Sequence, residues 1–481
     1  MDIIKSKWWV LAFSVFAAGC ATIDQRSSFD QVEKLVAERL PQRVQWHQDA
    51  SADMAIADAI ANMLKDELTL DEAVQIALLN NRNLQAKFED LGISQAELVQ
   101  AGLLQNPVFS AERLKSDIGV ATSFGVLQDF LSILSLPLRT KVSQASFEQT
   151  QNEVALAVLD LAAEVKAAYY SAQAETQALE LYKQVAEATQ AAAELAERQY
   201  QAGNASRLDQ SNQQAFYAQA LLDAGRVETQ EFSGREKLNR LLGLWGTHTV
   251  WKLTPRLPEL PAALKPADDF EQLAIAQRLD LAAAKKEVES LNYSLGYART
   301  WGTANVFDIG YSRNRESDGE LLKGPQIEFS LPIFDQGQGV RGRALGKLRQ
   351  AEQRLTALAI DIRSQVREGW NRLAGLQQQA KFYGEVLLPI RRRVTQEMQL
   401  RYNAMLEGVF QLLNAKQNEI ETAREYIYAL RDYWLAYGDF EKALGGPIPP
   451  GVLAVAGTPP INTPAPAAAV PAPAVHQHGG I

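Results

Sequence analysis

The sequence predicts a mainly α-helical protein with a small membrane β-barrel part, built from two duplicated helix–strand–strand–helix–helix halves. Three observations carry that prediction. Long segments hold apolar residues at helical spacing, such as Leu355, Leu358, Ile362, Val366, Trp370 and Leu373. Two short segments of the second half alternate apolar and polar residues with period two, "NVFDIGYSR" at 305–313 and the stretch from Gln326 to Leu331. Segments of the first half also match segments of the second in the same order.

The matches set the organisation. "TLDEAVQIALLNNRNLQA" (69–86) lies on "PADDFEQLAIAQRLDLAA" (266–283) at an offset of 197. "SLPL" (135–138) matches "SLPI" (330–333) at 195, "YQAGNASRLDQ" (200–210) faces "YNAMLEGVFQL" (402–412) at 202, and "LLG" (241–243) faces "ALG" (443–445) at 202. Each match alone is weak, and their collinearity makes the case for a tandem duplication. Each half then opens with a helix, near 69–104 and 267–300. Two strands follow, near 107–114 and 121–132 in the first half and near 304–313 and 324–334 in the second. A very long helix comes next, near 139–202 and 338–403, and a turn leads to a shorter one near 206–242 and 408–444. Val154, Val158, Leu161, Val165 and Ala168 give the first long helix its stripe. At about 1.5 Å of rise per residue, helices of this length reach roughly 100 Å, so they must pack lengthwise on one another. Pro389 should kink the second of them.

Two strands per half cannot make a stable sheet alone. Phe307, Ile309 and Tyr311 point one way, while Asp308, Gly310 and Ser312 point the other. Gln326 and Glu328 take the polar side of the next strand. Strands of about ten residues with one apolar and one polar face fit a transmembrane barrel with a wet lumen, lined by Asp308, Gln326 and Glu328. Such a barrel must close. Four strands are too few, so several copies of the chain would share it. The alternative is a small soluble sheet capping a helical bundle.

Composition narrows the function. The chain has 481 residues, a net charge of −9, one cysteine and four histidines. That balance gives no basis for a nucleic-acid partner, and no intrachain disulfide can form. There is no Gly-rich phosphate loop, metal-ligand cluster or nucleophile motif, so we expect neither an enzyme nor a cofactor. The N-terminus joins Lys5 and Lys7 to the apolar "WWVLAFSVFAAGC", too short to span a bilayer. Its end, "AAGC", is similar to a bacterial lipobox, which makes residues 1–19 a signal peptide and Cys20 the lipid-attachment site. An ordinary secretory signal is the alternative. Ala21 after the cysteine points to the outer membrane.

Together the lipobox, the duplicated halves, "FSLPIFDQGQ", "YQAGNASRLD" and "LLPI" resemble the TolC-type outer-membrane efflux protein family over roughly residues 60–446. That resemblance implies a homotrimer whose three chains form a twelve-stranded barrel in the outer membrane and a long α-helical periplasmic tunnel. It implies an outer-membrane channel of a tripartite efflux system, fed by an inner-membrane pump through a periplasmic adaptor protein. It also implies roles for the far helix turns. Gly203 and Ser206, with Met405 and Gly408 in the second copy, would be the adaptor-contacting turns, Gly408 supplying the bend where Met405 replaces Gly203. Leu208, Asp209 and Gln411 would border the periplasmic aperture. Asp209 can equally be a solvated residue near a helix cap.

The domains expected are a lipidated N-terminal segment over 20–65, a first repeat over 66–245, a linker over 246–266, a second repeat over 267–446 and a flexible Pro/Ala-rich tail over 447–481. His476 and His478 close that tail and are weak candidates for a metal site, a polar terminus being the commoner role. The functional alternative to a channel is a structural coiled-coil outer-membrane lipoprotein without channel activity. A tether needs neither amphipathic strands nor the repeat.

Overall fold

A computed structural model describes residues 25–47, 50–115, 117, 119–264, 269–303, 306–449 and 453–454. Cys20, the signal peptide, His476 and His478 lie outside the described residues. The described residues begin with α1 (Gln25–Ala37), α2 (Ala50–Met63), the two-residue β1 (Glu67–Leu68), α3 (Leu70–Asn80) and α4 (Arg82–Gly102). β2 (Val108–Lys115) and β3 (Val120–Asp129) form a hairpin, and α5 (Phe130–Gln201) and α6 (Arg207–Leu242) form a long helical hairpin. After β4 (Lys252–Leu253) and β5 (Ala263–Leu264) the second half runs α7 (Phe270–Gln277), α8 (Leu279–Trp301), β6 (Phe307–Arg315) and β7 (Leu321–Phe329). It ends with α9 (Gln338–Lys381), a π turn (Phe382–Leu387), α10 (Leu388–Asn403), α11 (Val409–Leu444) and β8 (Leu453–Ala454).

The helix expected over 69–104 is two helices. A capping box at Thr69 and Glu72 starts α3. At Asn81 the backbone turns extended, and the Asn81 side chain accepts the Asn83 and Leu84 N–H groups to start α4. Its amide donates to the Leu241 carbonyl (2.9 Å), tying the break to the end of α6. The second half breaks in the same way at Arg278, whose guanidinium reaches the Ala443 carbonyl at the end of α11. Asn81 and Arg278 each donate their cap N–H to an alanine, Ala77 and Ala274. Breaks and alanines alike keep the offset of 197 that relates 69–86 to 266–283.

The first long helix departs most from expectation. β3 ends at Asp129, not near 132, and α5 begins at Phe130, not near 139. The Asp129 carboxylate caps it by accepting the Ser132 N–H (3.1 Å). Leu131, Leu134 and Leu138 then continue a helical spacing straight through Pro137, which sits within the helix. "SLPL" is therefore helix, whereas "SLPI" lies in the irregular stretch after β7. Those two segments are not structural counterparts. The strands themselves lie close to the positions expected, each displaced toward its hairpin turn or cut short at its far end.

α5 runs 72 residues, about 108 Å at a rise of about 1.5 Å per residue. Val154, Val158, Val165 and Ala168 of its expected stripe are buried against α3, α4, α6 and α11, while Leu161 is only partly buried and Ala162 beside it lies in the core. The matching core of the second half gathers Ile362, Val366 and Leu373 of α9 with Phe270, Tyr433 and Phe440. Phe147 and Leu348, Val165 and Val366, Ala172 and Leu373, and Leu179 and Ala380 are buried pairs that share one offset, 201. Beyond the π turn the offset becomes 202, as for the buried Ala193 and Thr395. The π turn holds that one extra residue. It lies next to Pro389 in the first turn of α10, where the ring would clash with the carbonyl four residues back and the proline has no N–H to give. The helix accommodates the proline by this local widening.

The two far turns close alike. Gly203 (φ +75°) and Met405 (φ +58°) both adopt the left-handed conformation. Each donates its N–H three residues back, Gly203 to Tyr200 and Met405 to Tyr402, and the next residue donates to Gln199 or Arg401. Gly408, expected to supply the second bend, instead has extended backbone and stands at the N-cap of α11. The bend falls on Met405, the one non-glycine residue with positive φ among those described. A left-handed side-chain-bearing residue costs about 1–2 kcal/mol, and glycine's extra backbone entropy costs about 0.5–1 kcal/mol. Met405→Gly should therefore stabilise this turn by about 0.5–1 kcal/mol. Hydrogen exchange at the Met405 and Leu406 amides should slow accordingly; faster exchange would show that the methionine holds the turn by other contacts.

Candidate channel surfaces

The four longer strands form one antiparallel sheet in the order β2-β3-β6-β7. Its register decides which residues share a face. In β6 and β7, Phe307 pairs with Phe329, Ile309 with Ile327 and Tyr311 with Pro325. Across β3 and β6, Val126 pairs with Tyr311; across β2 and β3, Phe109 pairs with Val126 and Ala111 with Phe124. All of these lie on one face. Phe109 is 67% exposed, Ile327 63% and Phe329 60%, so one side of the sheet presents a largely apolar surface, interrupted by Gln128 opposite Ile309, that the other described residues do not cover. Toward the hairpin tips the same face ends in Arg113, Arg313 and Lys323.

The opposite face is polar through most of its length. Asp308 pairs with Glu328 and Gly310 with Gln326, so the three residues expected to line a lumen do share a face. Asp129 pairs with Asp308 on the other side. Three carboxylates from three strands thus stand in one row. Like charges directly opposite are destabilising unless water or cations screen them. Asp129 is not among the expected lumen residues, because the sequence reads as strand through to 132. The cap pattern, an aspartate three residues before Ser132 and then leucines at helical spacing, is the signal that places it.

The helical tips place the remaining expected residues. Ser206 caps α6 by accepting the Asp209 N–H (3.1 Å), and its hydroxyl donates to the Asp209 carboxylate (2.7 Å). Asp209 is thus fixed in the first turn of α6, half-buried, beside the exposed Leu208. Behind it, Gln210 and Gln214 both donate to Glu197 of α5 and lock the two arms of the hairpin. In the second tip Gly408 has no side chain to cap with, and the Gln411 side chain folds close over it. Leu208, Met405, Leu406 and Phe410 are 70%, 94%, 75% and 68% exposed. Leu406 and Phe410 add an apolar character to the second tip that the family resemblance alone does not assign.

The long helices hold one another with partly buried ion pairs. Lys286 of α8 bridges Glu148 of α5 (2.7 Å) and Glu289 (2.9 Å), and these hydrogen bonds push its ammonium up to about 12. Burial raises the Glu148 carboxyl, but hydrogen bonds from Gln144 and Lys286 outweigh it and hold the group below the usual range. No helix among the described residues is long and apolar enough to cross a membrane.

Residues 122–244 match the family model described as "Outer membrane efflux protein". The chain is similar to outer-membrane efflux proteins through this segment, and over most of its length through the relatives that follow. It is similar to the cobalt-zinc-cadmium resistance protein CzcC of Cupriavidus metallidurans, 21% identical over 79% of this chain and 90% of that one. It is similar also to the probable efflux pump outer membrane protein TtgC of Pseudomonas putida, at 25% over 68% of this chain and 72% of the other. Its fold is that of the Campylobacter jejuni CmeC outer membrane channel, with a TM-score of 0.70, 16% identity, and coverage of 78% of this chain and 85% of that one. It is equally that of CusC, with a TM-score of 0.66, 17% identity, and coverage of 85% and 97%.

Proposed function

We propose that this chain is the outer-membrane channel of a tripartite efflux system, closed by three copies. The observation that carries it is the four-stranded sheet: one face apolar and bare, the other polar, and both edge strands, β2 and β7, without a partner among the described residues. Open edges cannot persist in lipid. Strands alternate in direction across the sheet, so β7 of one copy runs antiparallel to β2 of the next. Three copies make twelve strands without breaking the alternation. A shared offset of 202 relates Gly203 to Met405, Ser206 to Gly408, and Gly243 to Gly445, which supports descent of the halves by duplication. Acylation at Cys20 would tether the same end of the molecule to the membrane. The exposed apolar tips fit a periplasmic adaptor, which would deliver substrate from an inner-membrane pump. Transport of this kind needs no bond chemistry. Asp129, Asp308 and Glu328, repeated threefold around a lumen, would favour cations.

In detergent the particle should have the mass of three chains. A stable, folded single chain would contradict the proposal, because one chain cannot close the barrel. At the periplasmic end three Asp209 carboxylates would gather around the axis. Like charges held close repel and need a basic neighbour, a bound cation or a raised pKa. Asp209→Ala should raise single-channel conductance without pump or adaptor and weaken block by multivalent cations. Gln411→Ala should change either much less. Unchanged conductance and block in Asp209→Ala would leave Asp209 as the helix-cap residue alone.

A further inference from the structure

Within one chain, α5 of the first half lies along α8 of the second, and the partly buried Glu148–Lys286 pair joins them at 2.7 Å. The same arrangement one step further round would lay α9 along α4 of another copy. Both relevant faces are bare here. The two short helices start from the equivalent breaks at Asn81 and Arg278 and run unbroken from there, so the counterpart of Lys286 is Glu89. The buried pairs along the two long helices keep their offset of 201 throughout the same stretch, so the counterpart of Glu148 is Arg349. The signs are exchanged: acid on the long helix and base on the short one within the chain, base on the long helix and acid on the short one at the matching place.

Arg349 is exposed and makes no hydrogen bond or ion pair among the described residues. Glu89 is exposed as well. Its Oε1 accepts from Trp46 Nε1 (3.0 Å), which orients the carboxylate and leaves Oε2 without a described partner. One turn along α4, Ile93 is the counterpart of Ser290, whose hydroxyl donates to the Val142 carbonyl in the contact between α5 and α8 (3.1 Å). Ile93 is 59% exposed. An isoleucine standing bare where its counterpart is covered is what a seam between copies leaves on an isolated chain.

We propose that Arg349 of one copy pairs with Glu89 of the next, and that the exchange of sign keeps the long and short helices in alternating order around the closed assembly. This rests on the three-copy reading. The exchange does more than add an attraction. A closure that laid α5 against α4 of another copy would set Glu148 beside Glu89, and like charges there would oppose it. A surface ion pair alone is weak. This one would be partly buried between helices, as its in-chain counterpart is, and would occur three times per particle.

The test is the temperature at which the detergent-solubilised full chain dissociates, followed on native gels. Arg349→Glu should lower it, because two carboxylates would then meet at the seam. Glu89→Gln should lower it less, since the amide oxygen can still accept from Trp46. Arg349→Glu combined with Glu89→Arg should recover most of the loss. Single variants that match the unaltered protein, or an exchange no better than Arg349→Glu, would overturn the pairing while leaving the three-copy particle intact. An unaltered protein that is itself a single chain would instead remove the reading beneath it. As a check independent of stability, Glu89→Cys with Arg349→Cys should be bridged between chains by a short bis-maleimide, and neither single variant should. Failure of that bridge in a folded particle counts against the pairing.

Discussion

Arginine at Ile309 or Phe329 should destabilise the inserted protein by about 2–4 kcal/mol if the residue sits near the bilayer midplane. The reason is the register. Both residues lie on the face that also carries Phe307, Ile327, Tyr311 and Val126, and a charge there would have to be dragged to an interface or buried in hydrocarbon. Ser312 and Gln326 lie on the opposite face, with Asp308 and Glu328. Arginine at either should be tolerated, since in the proposed barrel that face would meet water. Folding into lipid vesicles, titrated with urea, measures the difference. Equal effects from the two pairs would mean that the faces are wrongly assigned or that the sheet never meets lipid.

The second large effect is expected far from the membrane. Phe440 of α11 is fully buried. Its ring meets Phe270 edge-on at 5.3 Å and Trp370 at 5.7 Å between centroids, and α9 approaches so closely that a Cβ on Gly369 would stand 3.1 Å from it. Phe440→Ala should cost about 3–5 kcal/mol, because the rigid rods around the ring cannot collapse into the cavity. Leu238, its counterpart in the first half at the same offset as the far turns, is also fully buried but is no part of such an aromatic cluster. Leu238→Ala should therefore fall at about 2–5 kcal/mol, in the ordinary range for a buried leucine. Thermal unfolding of the helical signal for both variants tests the comparison. A Phe440→Ala protein as stable as the parent would show that this core is loosely packed.

What could be read from the sequence followed from periodicity. The stripes of α5 and α9 and the alternation in β6 repeat long enough to be unmistakable, and the residues assigned to each face of β6 and β7 do share it. Local exceptions were less legible. The start of α5 was hidden because "FLSILSLPL" is apolar enough for a strand and contains a proline, while its helical origin depends on one cap at Asp129. The breaks at Asn81 and Arg278 interrupt an apolar pattern that otherwise runs on, and they exist because each side chain reaches the end of a helix far along the chain, Asn81 to Leu241 and Arg278 to Ala443. The bend at Met405 gives no sign in the sequence, since glycine is the residue that normally marks positive φ. The counterpart at Gly203 was the only clue. The pairing of Arg349 with Glu89 needs both the repeat and the geometry. Only the in-chain contact between Glu148 and Lys286 shows what those positions do.

A sealed, water-filled path through the bilayer is the central claim, and single-channel recording in a planar bilayer tests it most directly. The purified full chain should insert and give discrete conductance steps carried preferentially by cations, as the Asp129–Asp308–Glu328 row requires. Protein that is folded and membrane-bound but leaves the bilayer electrically silent, with the aperture intact and again after Asp209→Ala, would contradict the account and leave a helical tether in its place.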